Sequence, residues 1–220
     1  VLFNVRPLDL REVTENADAV VEAWYPGTEG GHAVADILLG NVNPSAKLAM
    51  SMPYSVGQVP VYYNSYNTGR PQNAPDAQER YVSQYLDIPN EPLFPFGYGL
   101  SYSQFEYSDL QLSSDTLTGA DSLSVSVTVT NTSDLTGEEV VQLYIRDHVG
   151  QVVRPLKELK SFERISLEAG ESQTVSFAIT EEHLRYHHAN LEHKSDAGEF
   201  TVFVGTNSED VLAKSFRLEK

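Results

Sequence analysis

The sequence predicts two unlike parts: an α/β remnant, the end of an α/β layer, followed by an all-β sandwich of immunoglobulin-like kind. Three observations carry this. Residues 1–53 hold two short apolar runs and one helical pattern. Residues 105–220 alternate apolar and polar side chains along short, evenly spaced segments. Between them, residues 54–104 are studded with proline and tyrosine and show neither period.

Val1-Leu2-Phe3-Asn4-Val5 reads as a buried strand. Ala19-Val20-Val21-Glu22-Ala23-Trp24 reads as a second, with Trp24 in the core. Gly30 to Leu39 reads as a helix, because Ala33, Val34, Ile37 and Leu38 recur at helical spacing and Gly40 supplies a stop. Strands buried on both faces need helices above and below and parallel neighbours beside them. Residues 1–60 do not provide these, and the first residue is Val1 rather than Met. The expectation is a C-terminal piece of a larger, enzyme-sized chain.

The connector 54–104 carries Pro60, Pro71, Pro75, Pro89, Pro92 and Pro95, with Tyr54, Tyr62, Tyr63, Tyr66, Tyr81, Tyr85, Tyr98 and Tyr102. Flexible linkers are rich in Gly, Ser or charge, so this composition predicts an ordered strap packed across a protein surface. From Phe105 onward, Leu123 to Val129, Val141 to Ile145, Leu156 to Ile165, Val175 to Ile179, Phe200 to Val204 and Ser215 to Leu218 read as strands. About seven strands without cysteine fit an antiparallel sandwich. Tyr144, Phe162, Phe177, Phe200 and Phe203 alternate with polar neighbours and are expected in its core.

Composition narrows the function. Thirty-one acidic against fifteen basic residues give a formal charge of −16, which repels phosphate backbones and makes nucleic acid an unsuitable partner. No apolar run reaches the roughly 18–20 residues that cross a bilayer as a helix. The absence of cysteine removes disulfides, thiol chemistry and zinc–thiolate sites.

Several ordered peptides are distinctive. Asn4-Val5-Arg6-Pro7-Leu8 comes first, then Glu22-Ala23-Trp24-Tyr25-Pro26-Gly27-Thr28-Glu29-Gly30-Gly31. Ala35-Asp36-Ile37-Leu38-Leu39-Gly40, Asn43-Pro44-Ser45-Ala46-Lys47-Leu48 and Pro95-Phe96-Gly97-Tyr98-Gly99-Leu100-Ser101-Tyr102 follow, with Ala197-Gly198-Glu199-Phe200 in the sandwich. Together they resemble the C-terminal part of glycoside hydrolase family 3. Val59-Pro60-Val61-Tyr62-Tyr63 and Asn67-Thr68-Gly69-Arg70-Pro71 resemble its bacterial periplasmic β-glucosidases.

The resemblance implies a larger enzyme with a barrel, an α/β sandwich and a fibronectin type III-like C-terminal domain. It implies a retaining β-glucosidase acting on terminal, non-reducing β-D-glucosyl residues of cellobiose type, without metal or organic cofactor, in the periplasm or secreted. A retaining pair of carboxyls stands about 5–5.5 Å apart across the scissile bond. Both members, by the resemblance, lie upstream of Val1, so no catalytic residue is expected in these 220 residues. The expected partners are a β-glucoside or cello-oligosaccharide through the parent enzyme, its N-terminal catalytic domains, and a possible homodimer. Val5 departs from the glycine that relatives carry before Arg-Pro.

The substrate-rim candidates are Tyr66, Asn67 and Arg70, in a polar loop between turns. A planar guanidinium can grip sugar hydroxyls or a carboxylate; the alternative is a salt bridge pinning the strap. Glu29 is read as complementing the positive end of the helix it opens. Gly27 to Gly31 lacks the lysine and spacing of a phosphate loop, so turn geometry explains its glycines. His183, His187, His188 and His193 lie close in sequence, but no His-Glu-x-x-His motif is present, and a solvated polar loop is expected rather than a metal site. The rival readings are a non-catalytic carbohydrate-binding module, which needs an exposed aromatic row, and a structural or dimerisation module.

Overall fold

A computed structural model describes residues 1–4, 6–71 and 81–220. Val5 and Pro75, singled out above, lie outside the described residues. The chain opens with β1 (Leu2–Phe3), α1 (Arg11–Asn16), β2 (Val21–Glu22) and α2 (Gly30–Leu38). β1 and β2 pair in parallel, with Leu2 opposite Val21 and Phe3 opposite Glu22. The expected helix is α2, and Gly40 ends it at φ 75, a conformation glycine adopts without a Cβ clash. α1 was not expected, because Arg-Glu-Val-Thr-Glu-Asn carries no apolar period to reveal it.

Two expectations about this layer are corrected. β1 is not buried: Val1 is 62% and Leu2 48% exposed, since no described element packs over them. Trp24 is half-buried, lies beyond the end of β2 and takes a φ of 48, so it is not a strand core residue.

Residues 41–71 and 81–104 run largely as irregular backbone tied down at intervals. Met52 bridges Phe94, and a short 3₁₀ turn at Val56–Gln58 buries Gln58. The Gln58 amide donates to Pro89 O and Glu91 O while its carbonyl accepts from Tyr54 N–H, so one side chain closes this loop on itself.

The sandwich consists of β3 (Phe105–Leu112), β4 (Thr116–Thr118), β5 (Ser122–Asn131), β6 (Gly137–Asp147), β7 (Glu158–Leu167), β8 (Ser172–Thr180), β9 (Tyr186–His187), β10 (His193–Lys194), β11 (Gly198–Gly205) and β12 (Val211–Glu219). One sheet has the order β3-β5-β8 and the other β4-β12-β11-β6-β7; β9 and β10 form a small ladder of their own. The core lies between the sheets. Leu123, Val125, Val127 and Val129 of β5 face Val141, Leu143 and Ile145 of β6, with Phe177, Phe200, Val202 and Phe216. Period-two alternation in β5, β8 and β11 matches what the sequence predicted.

Of the five aromatics expected in the core, Phe177 and Phe200 are there. Tyr144 is fully buried but points the other way, along with Gln142, and is covered by the strap. Phe203 pairs with Tyr144 across the strands and so shares that outer face, half-buried beneath Lys157 Nζ at 5.2 Å. Phe162 is opposite Gln142 on the edge strand β7 and is 67% exposed. Its polar neighbours Ser161 and Glu163 stand opposite the core residues Leu143 and Val141 yet are half-buried and exposed, so the inner side of this rim strand is partly wet.

Candidate functional site

The loop 62–70 crosses the outer face of the five-stranded sheet. Tyr63 fastens it: its ring stacks on Phe96 at 4.3 Å and meets Tyr144 edge-on at 5.8 Å, and its hydroxyl accepts from Leu159 N–H at 3.2 Å. Tyr66 bridges Pro155 through the backbone, and Leu156 N–H donates to Ser65 O at 2.9 Å. The anchoring residues point down, so their neighbours point out. Tyr62 and Tyr66 are 64% and 60% exposed, and Asn67 and Arg70 are exposed with them.

The tip is shaped by an Asx turn in which Asn67 Oδ1 accepts from Gly69 N–H, with Gly69 at φ 80. The backbone carbonyl of Arg70 accepts from Ser83 N–H at 2.9 Å. Tyr66, Asn67 and Arg70 thus occupy one rigidly rooted loop with an aromatic face, an amide and a guanidinium turned to solvent. That inventory suits contact with a polyhydroxylated ligand.

A second anchor lies before the strap. Lys47 Nζ sits 3.0 Å from Glu139 Oε2 of β6 and donates to Thr206 Oγ1 at 2.9 Å. Tyr107 OH donates to Glu139 Oε1 at 2.8 Å, and burial together with that carboxylate pushes the phenol well above its usual range. A lysine in a Pro-Ser-Ala-Lys-Leu peptide and a glutamate in an apolar strand were its sequence signals, and neither was read as a pair.

The remaining candidates resolve individually. Glu29 makes no capping hydrogen bond to α2; its Oε2 meets His32 Nδ1 at 2.6 Å, both side chains exposed. A Cβ on Gly30 would lie 2.4 Å from Pro26 Cβ, which accounts for glycine in that turn. The histidine segment is a solvated loop only in part: His187 and His193 are exposed, His183 is half-buried and His188 is buried. His183 Nδ1 accepts from Thr180 N–H at the start of a 3₁₀ turn, and His187 faces His193 across β9 and β10. His188 is 3% exposed, stacked on Tyr186 at 4.3 Å and bonded to Gln151. These contacts use the imidazoles as packing and capping groups. Among the described residues no group of three or more His, Cys, Asp or Glu side chains is placed to hold a metal ion.

This fold has counterparts. A family model described as the glycosyl hydrolase family 3 C-terminal domain matches residues 1–102, and one described as a fibronectin type III-like domain matches residues 139–208. Residues 1–102 are thus a glycosyl hydrolase family 3 C-terminal domain. It is 48% identical over 218 residues to a periplasmic beta-glucosidase of Salmonella typhimurium, covering 99% of this chain and 28% of that protein. Identity to a putative beta-xylosidase of Formosa agariphila is 43%, covering 100% of this chain and 28% of that one. Among solved structures, a beta-glucosidase from Listeria innocua in complex with gluconolactone aligns over 100% of this chain and 30% of its own, with TM-score 0.93 and 48% identity. The chain therefore spans about 28% of the length of the curated relatives it matches. The 1–102 match takes in both strands of the α/β layer, α2 and the strap as far as Tyr102.

Proposed function

We propose that this chain is the C-terminal region of a retaining β-glucosidase that hydrolyses terminal, non-reducing β-D-glucosyl residues of cellobiose-type substrates in the periplasm or outside the cell. In this reading residues 1–53 finish the α/β domain, 54–104 form the strap and 105–220 form the fibronectin type III-like sandwich. The nucleophile and the acid/base residue lie in the rest of the parent, so the 220 residues alone are inactive. A nucleophile and its acid partner act as a unit, and a chain with neither has no covalent route. The role of this region is to support the catalytic domains, with Tyr66, Asn67 and Arg70 at the substrate rim.

The observation that carries this reading is the near-complete alignment of the chain, at 48% identity and TM-score 0.93, with a beta-glucosidase structure holding gluconolactone. A free-standing carbohydrate-binding module has less support. Phe162 is exposed, but Tyr144 is covered by Tyr63 and Phe96 and Phe203 by Lys157, so these residues form no open aromatic row. The test is hydrolysis of cellobiose and p-nitrophenyl β-glucoside by the full-length protein and by the 220-residue chain. Activity in the first alone is expected; activity in the second would overturn the placement of the catalytic pair.

A further inference from the structure

Glu22 ends β2 with a carboxylate whose two oxygens differ. Oε1 accepts from Trp24 N–H at 2.6 Å. Oε2 is buried and meets no donor among the described residues. Burial raises the carboxyl's pKa, opposed by the Trp24 N–H. A buried oxygen without a donor is rare enough that packing alone is a poor account of it. What the carboxylate does achieve is local: it spans two residues and holds Trp24 at φ 48, a conformation that residues with a Cβ seldom adopt.

The place matters as much as the posture. Because β1 and β2 are parallel and in register, the chain leaving Phe3 and the chain leaving Glu22 emerge on one edge, the carboxyl edge. Ala23 N–H still donates to Phe3 O at 3.0 Å, so Trp24 is the first residue released from the pairing. Open α/β sheets bind their ligands outside the carboxyl ends of their strands. There Trp24 is half-buried and Tyr25 beside it is 75% exposed.

We propose that Trp24 is a substrate-binding residue of the parent glycosidase, its indole forming an aromatic wall against the pyranose ring, and that Glu22 is the positioning residue that fixes it. The inference rests on the glycosidase reading above. A pyranose presents a face of axial C–H groups that packs on an indole, and a rigidly held ring loses little freedom on binding. Tyr66, Asn67 and Arg70 belong to a different loop, so the two sets are tested separately.

The experiment compares Trp24→Ala, Trp24→Phe and Glu22→Ala with the wild type in the full-length protein, using p-nitrophenyl β-glucoside, with circular dichroism to check folding. The expected result is a KM at least tenfold higher for Trp24→Ala with kcat within threefold. Trp24→Phe should recover most of the loss, and Glu22→Ala should raise KM although the indole remains. KM and kcat within twofold of wild type for a folded Trp24→Ala would overturn the proposal while leaving the glycosidase reading intact. Should Trp24→Ala fail to fold, the Trp24→Phe and Glu22→Ala constants decide: both unchanged overturns it. If the wild type hydrolyses no β-glycoside, the glycosidase reading fails and a second measurement decides this one. Trp24 is the sole tryptophan of the 220 residues, and in the full-length protein the difference in fluorescence between wild type and Trp24→Phe reports this position. Saturable quenching by glucose or xylose supports sugar contact, and no response overturns it.

Discussion

Replacing Lys47 with methionine tests whether the segment before the strap is clamped to the sandwich by a buried charge pair. The lysine side chain is 11% exposed and that of Glu139 3%, with 3.0 Å between Nζ and Oε2. At that distance and an effective dielectric near 20, the gross attraction is about 5–6 kcal/mol. Desolvation of two ions offsets most of it, so the pair is worth little net relative to apolar neighbours. Removing one member is a different matter. Methionine keeps the apolar stem but leaves Glu139 with the Tyr107 hydroxyl as its remaining strong donor. An uncompensated buried charge costs about 3–5 kcal/mol. For a chain of this size that lowers the melting temperature by about 6–20 °C. Glu139→Gln should cost a similar amount. The double variant should recover at least half of the Lys47→Met loss, because neither charge is then stranded. Urea midpoints and calorimetry on all four proteins close the cycle. A Lys47→Met loss below about 1 kcal/mol, or strictly additive singles, would refute the reasoning, since Glu139 would then be hydrated without its partner.

Three other outcomes follow from geometry already described. Arg185, with Ser195, holds the Glu181 carboxyl below the ordinary value of 4.5. A depressed folded-state pKa means a contribution that is complete above that value and lost as pH falls through the folded one. Glu181→Gln should therefore lower stability at neutral pH and flatten its acid limb, read as urea midpoints across the acid range; an unchanged limb would contradict this. Gly97 has φ 79, and a Cβ there would stand 2.1 Å from Gln142 Oε1. Gly97→Ala should cost about 1–2 kcal/mol for the backbone alone, and more for displacing Gln142, as thermal unfolding would record. Phe162→Ala should change stability by no more than about 0.5 kcal/mol. The equivalent truncation at Phe177 should cost about 3–5 kcal/mol.

The sequence made some of this legible and hid the rest for physical reasons. Alternation located β5, β8 and β11, because one side of each lies against the other sheet and the other side faces water or polar cover. It misplaced Tyr144, because β6 is buried on both sides and periodicity carries no information about which cover each side receives. Phe162 failed for the opposite reason, on a rim strand whose inner side is partly wet. The histidines were read as loop because a two-residue ladder such as β9 with β10 has no period to detect. At the candidate site, Tyr66, Asn67 and Arg70 were legible as turn chemistry around a glycine. Glu22 was not, since its role depends on a backbone torsion two residues away.

The strap's attachment to β6 has a consequence for how this chain can be divided. Leu159 and Tyr63, joined by a hydrogen bond, are 96 positions apart, and Lys47 and Thr206 are 159 apart. Closures of that span come late in folding, after hairpins such as β6 with β7 and β11 with β12 have formed. Until the strap arrives, Tyr144, Gln142 and Phe203 present a wet, sticky sheet beside Phe162. A sandwich excised at residue 105 would hold that state permanently. It would behave as an aggregation-prone folding intermediate and not as a transferable module, because the lid of its outer face is encoded before its first strand.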